Sequence, residues 1–389
     1  MQINKIKIAY VISAALPTSK AYGITAKETV EVLLKFGYTV KILASSSKYY
    51  DSDFEKIVRV LENFPKSWLI SKLLLASYQG KTQLNMACWR LAVILNIRKS
   101  FKILNQFNPD IIWVRDPLIA YIYLKKYSNI KIILEIHSKN GTFLHKKMAR
   151  FNDRIKYCPI NESNREYITS VVPNIKTCIA PMAIRASSIA TPESCKKFVE
   201  LLKLRDNHNL KIGYVGKISA VGYSKGIKDL IDLADYFCKN SVPASVTIVG
   251  ADDQNLKKLT REIQELKIQR KYIEILPHVK HSVALKIMKN FDILVLPRYE
   301  DQNYNGMPIK LIEYISTGKI PIVARTILNS EIFLGNYKPF YYDPEDINSL
   351  ILSINSALNS KNLENTLLAG LKFSKEFTWE NRTLRILAS

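Results

Sequence analysis

The sequence predicts an α/β protein built of two doubly wound parallel-sheet domains. Three observations predict it. Strand-like and helix-like segments alternate through the first half, which implies βαβ units and a parallel sheet. The alternation restarts at residue 210 after a polar interval. The 389 residues suit two domains of ordinary size better than one.

The first half opens with "KIKIAYVIS", an apolar run read here as the first strand rather than a signal peptide. "ITAKETVEVLLKFG" has a helical period and stops at Gly37, and "YTVKILAS" is the next strand. "PDIIWVRD", "PLIAYIYLKKYS" and "IKIILEIHS" then read as strand, helix and strand. The second half runs "LKIGYVGKI" (strand), "SKGIKDLIDLADYFCK" (helix), "ASVTIVG" (strand) and "NLKKLTREIQELK" (helix). It continues with "IEILPHV" (strand), "HSVALKIMKNF" (helix), "DILVLPR" (strand) and "IPIVA" (strand). Residues 183–209 are polar and weakly periodic, with the linker expected near 183–187. The expected divisions are 1–185, 186–372 and a C-terminal helix at 373–389 packing back toward the first domain. Ligands of open α/β sheets bind outside the carboxyl ends of the strands, so two such domains are expected to face across a cleft.

The net charge is +23, and it is uneven. Residues 1–185 hold 29 Lys/Arg against 12 Asp/Glu, and residues 186–389 hold 28 against 22. An anionic partner for the first half is implied, with an acidic membrane surface and nucleic acid the two candidates. Residues 64–100 interleave Trp68, Leu73, Leu74 and Trp89 with Lys66, Lys72, Lys81, Arg90, Arg98 and Lys99, which suits a membrane interface as well as a core helix. No helix-turn-helix, zinc-finger or RNA-recognition signature supports nucleic acid. Cys88, Cys158, Cys178, Cys195 and Cys238 lack CxxC spacing, which suits a reducing cytoplasm rather than a disulfide framework or a zinc site.

Two segments carry candidate chemistry. In "NYNGMPIKLIEYISTGKIPIV" (303–323), Gly306 permits a sharp turn close to a ligand and Pro308 suits a first helical position. The free N–H groups there favour an anion such as a phosphate. Glu313, inside the helix, can accept two hydroxyl hydrogen bonds from a diol, or can be an ordinary surface carboxylate paired with Lys. In "GYVGKISAVGYSKGIKDL" (213–230), a strand ends at Gly216, and Lys217 and Lys225 flank the loop before the next helix. Two cations beside a helix N-terminus suit a diphosphate. No P-loop pattern occurs. "ADD" at 251–253 invites a metal, but no second acid cluster lies nearby in sequence, and no metal is expected.

Taken in order, these stretches resemble glycosyltransferases of the GT-B fold, with two Rossmann-like domains, and most closely glycosyltransferase family 4. The resemblance rests on "ALPTSKAYGITAKETVEVLLKFGYTVKIL", "IGYVGKISAVGYSKGIKDLIDLA", "SVTIVGADD", "LPHVKHSVALKIMKNFDILVLPR", "GMPIKLIEYISTGKIPIVA" and "FTWENRTLRIL". It implies that Lys217 and Lys225 clamp the donor diphosphate, with a Lys where the family usually has Arg and a longer spacing. It implies that Glu313 holds the ribose, and that Asn305 stands where the family has a sugar-contacting Glu. Gly306, Met307, Pro308 and Ile309 would line the phosphate and sugar, with Gly216 beside them. Backbone around Pro277, His278 and Val279 would meet the base. Gly23 would lie near the diphosphate, His137 would line the sugar and acceptor side, and Arg115 and Asp116 would face the acceptor. Glu300 or Asp301 would be the replacements for the carboxylate missing at 305.

The implied activity is retaining transfer of a sugar from a UDP- or GDP-sugar to a hydroxyl of a glycan or lipid-linked acceptor, without a cofactor. A retaining glycosidase needs two carboxylates about 5 Å apart, and no such pair is evident. Attack on the face of the departing diphosphate, which takes the acceptor proton, is implied instead, with domain closure excluding water. The basic first half points to a cytoplasmic enzyme peripheral to an anionic membrane, in bacterial surface polysaccharide, lipopolysaccharide or capsule assembly. The rivals are another GT-B enzyme, such as a nucleotide-sugar epimerase, and a basic nucleic-acid-binding protein.

Overall fold

Short Val/Ile/Leu runs fold here into strands buried on both faces, as parallel strands sandwiched by helices must be. The structure, a computed structural model, describes residues 6–18, 21–46, 59–63, 83–204, 209–220, 223–224, 226–297, 309–326 and 337–388. The chain divides into two units, Met1–Pro181 with Trp379–Ser389, and Met182–Thr378. The first boundary thus falls at 181/182 rather than 185/186, and the returning segment starts at Trp379 rather than at 373.

The N-terminal unit holds β1 (Lys7–Leu16), α1 (Ala21–Lys35), β2 (Thr39–Ser46), β3 (Leu61–Asn63), α2 (Gln83–Phe107) and β4 (Ile111–Val114). It continues with α3 (Pro117–Lys126), β5 (Lys131–Ile136), α4 (Thr142–Met148), β6 (Ile155–Pro159) and α5 (Glu162–Val171). The sheet order is β3-β2-β1-β4-β5-β6, every neighbouring pair parallel. Alternate residues of β1 feed opposite faces. Ala9 and Val11 join the layer with Val93, Ile97 and Tyr123 from α2 and α3, whereas Ile8 and Tyr10 join Leu33 of α1. Of the stretch considered for a membrane interface, residues 64–82 lie outside the described residues, and the remainder belongs to α2. Among the described residues, no helix is long and apolar enough to cross a membrane.

The C-terminal unit holds α6 (Pro192–Lys203), β7 (Leu210–Val215), a short hairpin of β8 (Ser219–Ala220) and β9 (Tyr223–Ser224), α7 (Ile227–Lys239), β10 (Ala244–Ala251) and α8 (Asp253–Glu265). Then follow β11 (Ile273–Pro277), α9 (His281–Met288), β12 (Ile293–Leu296), α10 (Ile309–Ser316), β13 (Ile320–Ala324), β14 (Phe340–Tyr342), α11 (Ile347–Leu358) and α12 (Leu363–Ser374). Its parallel sheet runs β11-β10-β7-β12-β13-β14, the same topology as the first. The polar interval 183–209 is not all linker: α6 lies within it, capped by Thr191 and burying Cys195, Phe198 and Val199. That i, i+3, i+4 stripe continues at i+7 with Leu202, which packs against the same core.

The last helix, α13 (Trp379–Ala388), belongs to the N-terminal unit. Glu380 pairs with Lys35 of α1 at 3.1 Å, and the Lys156 ammonium donates to the Ile386 carbonyl. Ile386 is fully buried in the α1 layer. Between α12 and α13 the chain leaves the helix at Thr378 (φ −85°, ψ 154°), so 373–389 is not one continuous helix.

Candidate functional site

In both sheets the strand order reverses between the first and fourth strands, β1/β4 and β7/β12. Connections leave in opposite directions there and open a crevice at the carboxyl edge. In the C-terminal unit the opening is visible in the ladder. β12 pairs with β7 only at Ile212 and Gly213, while β10 follows β7 to Val215. The unpaired end of β7 is satisfied by Tyr314 of α10, whose hydroxyl accepts from the Val215 N–H at 2.8 Å and donates to its carbonyl at 3.3 Å. That pair of hydrogen bonds ties α10, through its sixth residue, to the switch point.

Four elements bring polar groups together there. Gly216 follows β7 directly, and a Cβ on it would run into the Cε of Lys310 and, at 2.8 Å, into its Cδ. Gly250, at the end of β10 with φ +119°, lies so close that its own Cβ would overlap the Gly216 carbonyl. Only glycines allow the two strand ends to approach while the Lys310 stem crosses them. The Lys310 ammonium reaches Glu313 at 3.4 Å. The His281 ring, at the start of α9, donates from Nε2 to the other Glu313 oxygen at 2.7 Å.

Glu313 is 3% exposed. Burial opposes its ionisation, but Lys310 and His281 outweigh that and hold the carboxyl below its ordinary value. Its two partners are not buried: their side chains are 41% (His281) and 28% (Lys310) exposed. The site is thus a sequestered carboxylate whose donors can turn away toward solvent. A ligand diol can take their place.

Lys217 is exposed, and its carbonyl accepts from Tyr214 at 2.7 Å. Pro277 ends β11 opposite Ala251, and the His278 N–H donates to the Ala251 carbonyl. Pro277 and His278 are exposed and Val279 is half-buried, immediately before α9. Ile309 opens α10. Lys225, Glu300, Asp301, Asn305, Gly306, Met307 and Pro308 lie outside the described residues. Asp252 of "ADD" caps α8 by accepting from the Asn255 N–H at 2.8 Å. Among the described residues, no group of three His, Cys, Asp or Glu could hold a metal ion. Lys310 and His281 carried no assignment in the sequence reading. Lys310 stands within "GMPIK", one turn before Glu313, and that spacing is the one local signal for it.

In the N-terminal unit the matching edge is built differently. Glu135 of β5 is fully buried. Its Oε1 accepts from Trp113 Nε1 at 2.6 Å and Arg382 Nη1 at 3.3 Å. Its Oε2 accepts from Arg382 Nη2 at 2.7 Å and from His137 Nε2 at 2.6 Å. Burial opposes the charge on Glu135, yet Arg382, His137 and Arg115 hold its carboxyl well below the usual range. Arg115 Nη2 donates to His137 Nδ1 at 3.0 Å. Arg is always a donor, so His137 is the neutral Nε2–H tautomer. Burial, and then the Arg115 charge, push its pKa down to about 4. Both ring nitrogens of His137 are therefore engaged within the protein, and a sugar contact through either requires one of these bonds to open.

Arg115 and Asp116 line a cavity of about 850 Å³ in this unit. Asp116 caps α3 by accepting from the Leu118 N–H at 2.8 Å, with Pro117 following it. Burial raises its carboxyl pKa, against hydrogen bonds from Leu118, Ile119 and Ser13. Arg115 Nη1 is buried without a hydrogen-bond partner among the described residues. Gly23 lies in α1, buried, where a Cβ would collide with Thr18 of the preceding loop.

Residues 202–368 match the family model described as glycosyl transferases group 1. The match marks the C-terminal unit as a glycosyltransferase domain, and the protein as an enzyme of that type. No curated protein matches the chain in sequence. Solved structures share the two-domain GT-B fold. A glycosyltransferase from Rickettsia africae ESF-5 superposes with a TM-score of 0.69 at 17% identity, covering 98% of this chain and 96% of that one. A sucrose-phosphate synthase from Thermosynechococcus elongatus gives 0.70 at 14% identity, covering 99% and 98%. Anabaena Alr3699/HepE, solved in complex with UDP and glucose, gives 0.65 at 12% identity, covering 98% of each chain.

Proposed function

We propose that the protein is a retaining glycosyltransferase of family 4 that moves a sugar from a UDP- or GDP-sugar to a hydroxyl of a glycan or lipid-linked acceptor. The observation that carries the donor half is Glu313. It is buried, ionised and, among the described residues, held by two solvent-reachable donors at the switch point of the C-terminal sheet. A ribose diol replaces those donors with two hydroxyl hydrogen bonds. Lys217 and Lys225, joined by Lys310 across Gly216, bind the diphosphate, and backbone at Pro277, His278 and Val279 meets the base. Asn305 through Ile309 meet the sugar and its phosphate. The Anabaena neighbour solved with UDP and glucose supports a nucleotide-sugar donor.

In this reading the acceptor hydroxyl attacks the anomeric carbon on the face the diphosphate leaves, and the leaving oxygen takes the acceptor proton. The lysines stabilise the charge that develops on that oxygen, so the protein acts by positioning and electrostatics, and no metal is needed. His137 acts by fixing Arg115, and Arg115 and Asp116 line the acceptor side. The basic N-terminal half supports a location at the inner face of an anionic cytoplasmic membrane, in surface polysaccharide assembly.

Thermal unfolding with UDP and GDP at low millimolar concentration tests the donor site. One of the two raises Tm, and Glu313→Ala removes the rise. Asn305→Ala keeps the rise but changes donor choice or rate. Equal loss of nucleotide affinity in both variants would show that the roles of the two residues are wrongly divided. No rise with either nucleotide would sink the reading.

A further inference from the structure

Helix α13 buries Trp379, Arg382, Thr383 and Ile386, the i, i+3, i+4, i+7 stripe of an amphipathic helix. An arginine thus stands where an apolar side chain would pack. Its Nε donates to the Pro181 carbonyl at 3.0 Å, its Cζ lies 5.6 Å from the Trp379 ring centroid, and its fork grips both oxygens of Glu135. A buried ion pair is often no more stabilising than apolar side chains of the same volume, so stability alone does not explain this one. The contacts continue past it. Glu135 accepts from His137 Nε2, and His137 Nδ1 accepts from Arg115 Nη2. One row of bonded groups therefore links the last helix of the chain to the end of β4.

We propose that Arg382 is a positioning residue for the transfer: through Glu135 it keeps the His137 proton on Nε2, and so keeps Nδ1 the acceptor that holds Arg115 at the carboxyl edge of the sheet. This rests on the reading in which His137 and Arg115 serve the reaction, and it adds a residue that acts on them from a distance. Three observations carry it. Glu135 is fully buried, and Arg382 supplies two of its four hydrogen bonds and the balancing charge. The neighbouring groups cannot supply that charge instead. Tyr10 of β1 and Cys158 of β6 face the pair as neutral groups held protonated by burial, and Arg115 of β4 turns its donors to the ring. Finally, Arg115 never gives up a proton, so its bond to Nδ1 exists only while that nitrogen is bare.

Without the Arg382 charge, the buried carboxylate draws a proton from solvent. Placed on the oxygen that faces the ring, the proton turns His137 to the Nδ1–H tautomer. Placed on the ring, it makes an imidazolium. Both put a hydrogen on Nδ1, and Arg115 loses its acceptor.

The test is ¹⁵N NMR of the full chain with ring-labelled histidines near neutral pH. The sequence has five histidines, and the His137 signals are those lost in His137→Gln. The wild type shows a bare Nδ1 and a protonated Nε2. Arg382→Lys keeps the charge without the fork, and its Nδ1 stays bare. Arg382→Gln keeps a donor for Glu135 without the charge, and its Nδ1 becomes protonated. Phenylglyoxal modification of Arg115, mapped by mass spectrometry, is unchanged in Arg382→Lys and rises about fivefold in Arg382→Gln, as loss of one hydrogen bond allows. Circular dichroism and Tm establish that each variant folds. A purely structural Arg382 moves Tm in both variants and leaves the ring signals alike, which overturns the proposal. So does a protonated Nδ1 in the wild type, a result that needs no variant to fold. A rise in Tm with UDP or GDP beside an Arg382→Gln ring that stays bare at Nδ1 defeats this inference alone. The expected ring signals without any nucleotide effect defeat the donor reading alone.

Discussion

The two units share one strand order, and each sets a carboxylate beside its sheet edge, yet they use it in opposite ways. Glu135 accepts four hydrogen bonds from Trp113, Arg382 and His137. The Arg382 side chain is 1% exposed and that of His137 18%. Among the described residues Glu313 has two partners, both partly open to solvent. A carboxylate surrounded by sealed donors is part of the framework. One held by donors that water can replace is available to a ligand. Burial of the acid itself does not separate the two cases; the exposure of its partners does.

The largest effect that can break this comparison is on stability. Removing one member of a buried ion pair strands the other charge, so Glu135→Ala or Arg382→Met should cost about 3–5 kcal/mol. Glu313→Ala leaves partners that water can solvate and should cost less than about 1 kcal/mol. Denaturant unfolding measures both. Similar losses at the two sites would erase the distinction drawn here.

Next in size is pH. His137 has a folded pKa of about 4 against 6.5 for an ordinary histidine. Below 6.5 the unfolded chain takes up a proton that the folded chain refuses, so stability falls as pH drops from 6.5 toward 4. The loss reaches about 3 kcal/mol for this group. His145, buried in α4 and also pushed down to about 4, adds a similar slope. Glu135, with its lowered pKa, contributes stability present above the unfolded carboxylate range and lost as pH falls through its own folded value. His137→Gln should therefore remove about half of the slope between pH 6.5 and 4.5. An unchanged slope in urea unfolding across that range would refute the neutral tautomer.

The smallest effect sharpens the C-terminal site. If Lys310 faces the diphosphate as well as Glu313, Lys310→Met should weaken UDP or GDP binding about tenfold, in line with one charge-assisted hydrogen bond. His281→Ala should change it less than about fivefold, because in the proposed donor site the donor it removes is one that the ribose would displace. Isothermal titration distinguishes them, and a larger loss for His281→Ala would make that ring a ligand contact.

Most of the C-terminal unit was legible in sequence. Strands β7, β10, β11, β12 and β13 coincide with apolar runs bounded by Gly, Pro or charged residues, and α7, α8 and α9 follow the helical period. What escaped were elements that depend on neighbours. Strand β6, "IKYCP", carries a Lys and a Tyr and becomes a strand through pairing with β5. Strand β14 is three residues long and leans on β13. Helix α6 sets its apolar stripe of Cys195, Phe198, Val199 and Leu202 inside an otherwise polar interval. The candidate site divides in the same way. Gly216 and Glu313 stand in local patterns that the sequence singles out. His281 reaches Glu313 across 32 residues and Arg382 reaches Glu135 across 247. No local spacing announces either convergence.

Helix α13 also has a consequence in time. The N-terminal unit is nearly all synthesised by Pro181, but the cation that balances Glu135 arrives with Arg382. At about 5–20 residues per second, roughly 10–40 s of translation separate the two. Through that interval the nascent unit holds an acid with an unfilled vacancy beside it, and Ile386 has yet to cover the α1 layer. The C-terminal unit is thus made while its predecessor is still open. The first unit is finished only by the segment that follows the second.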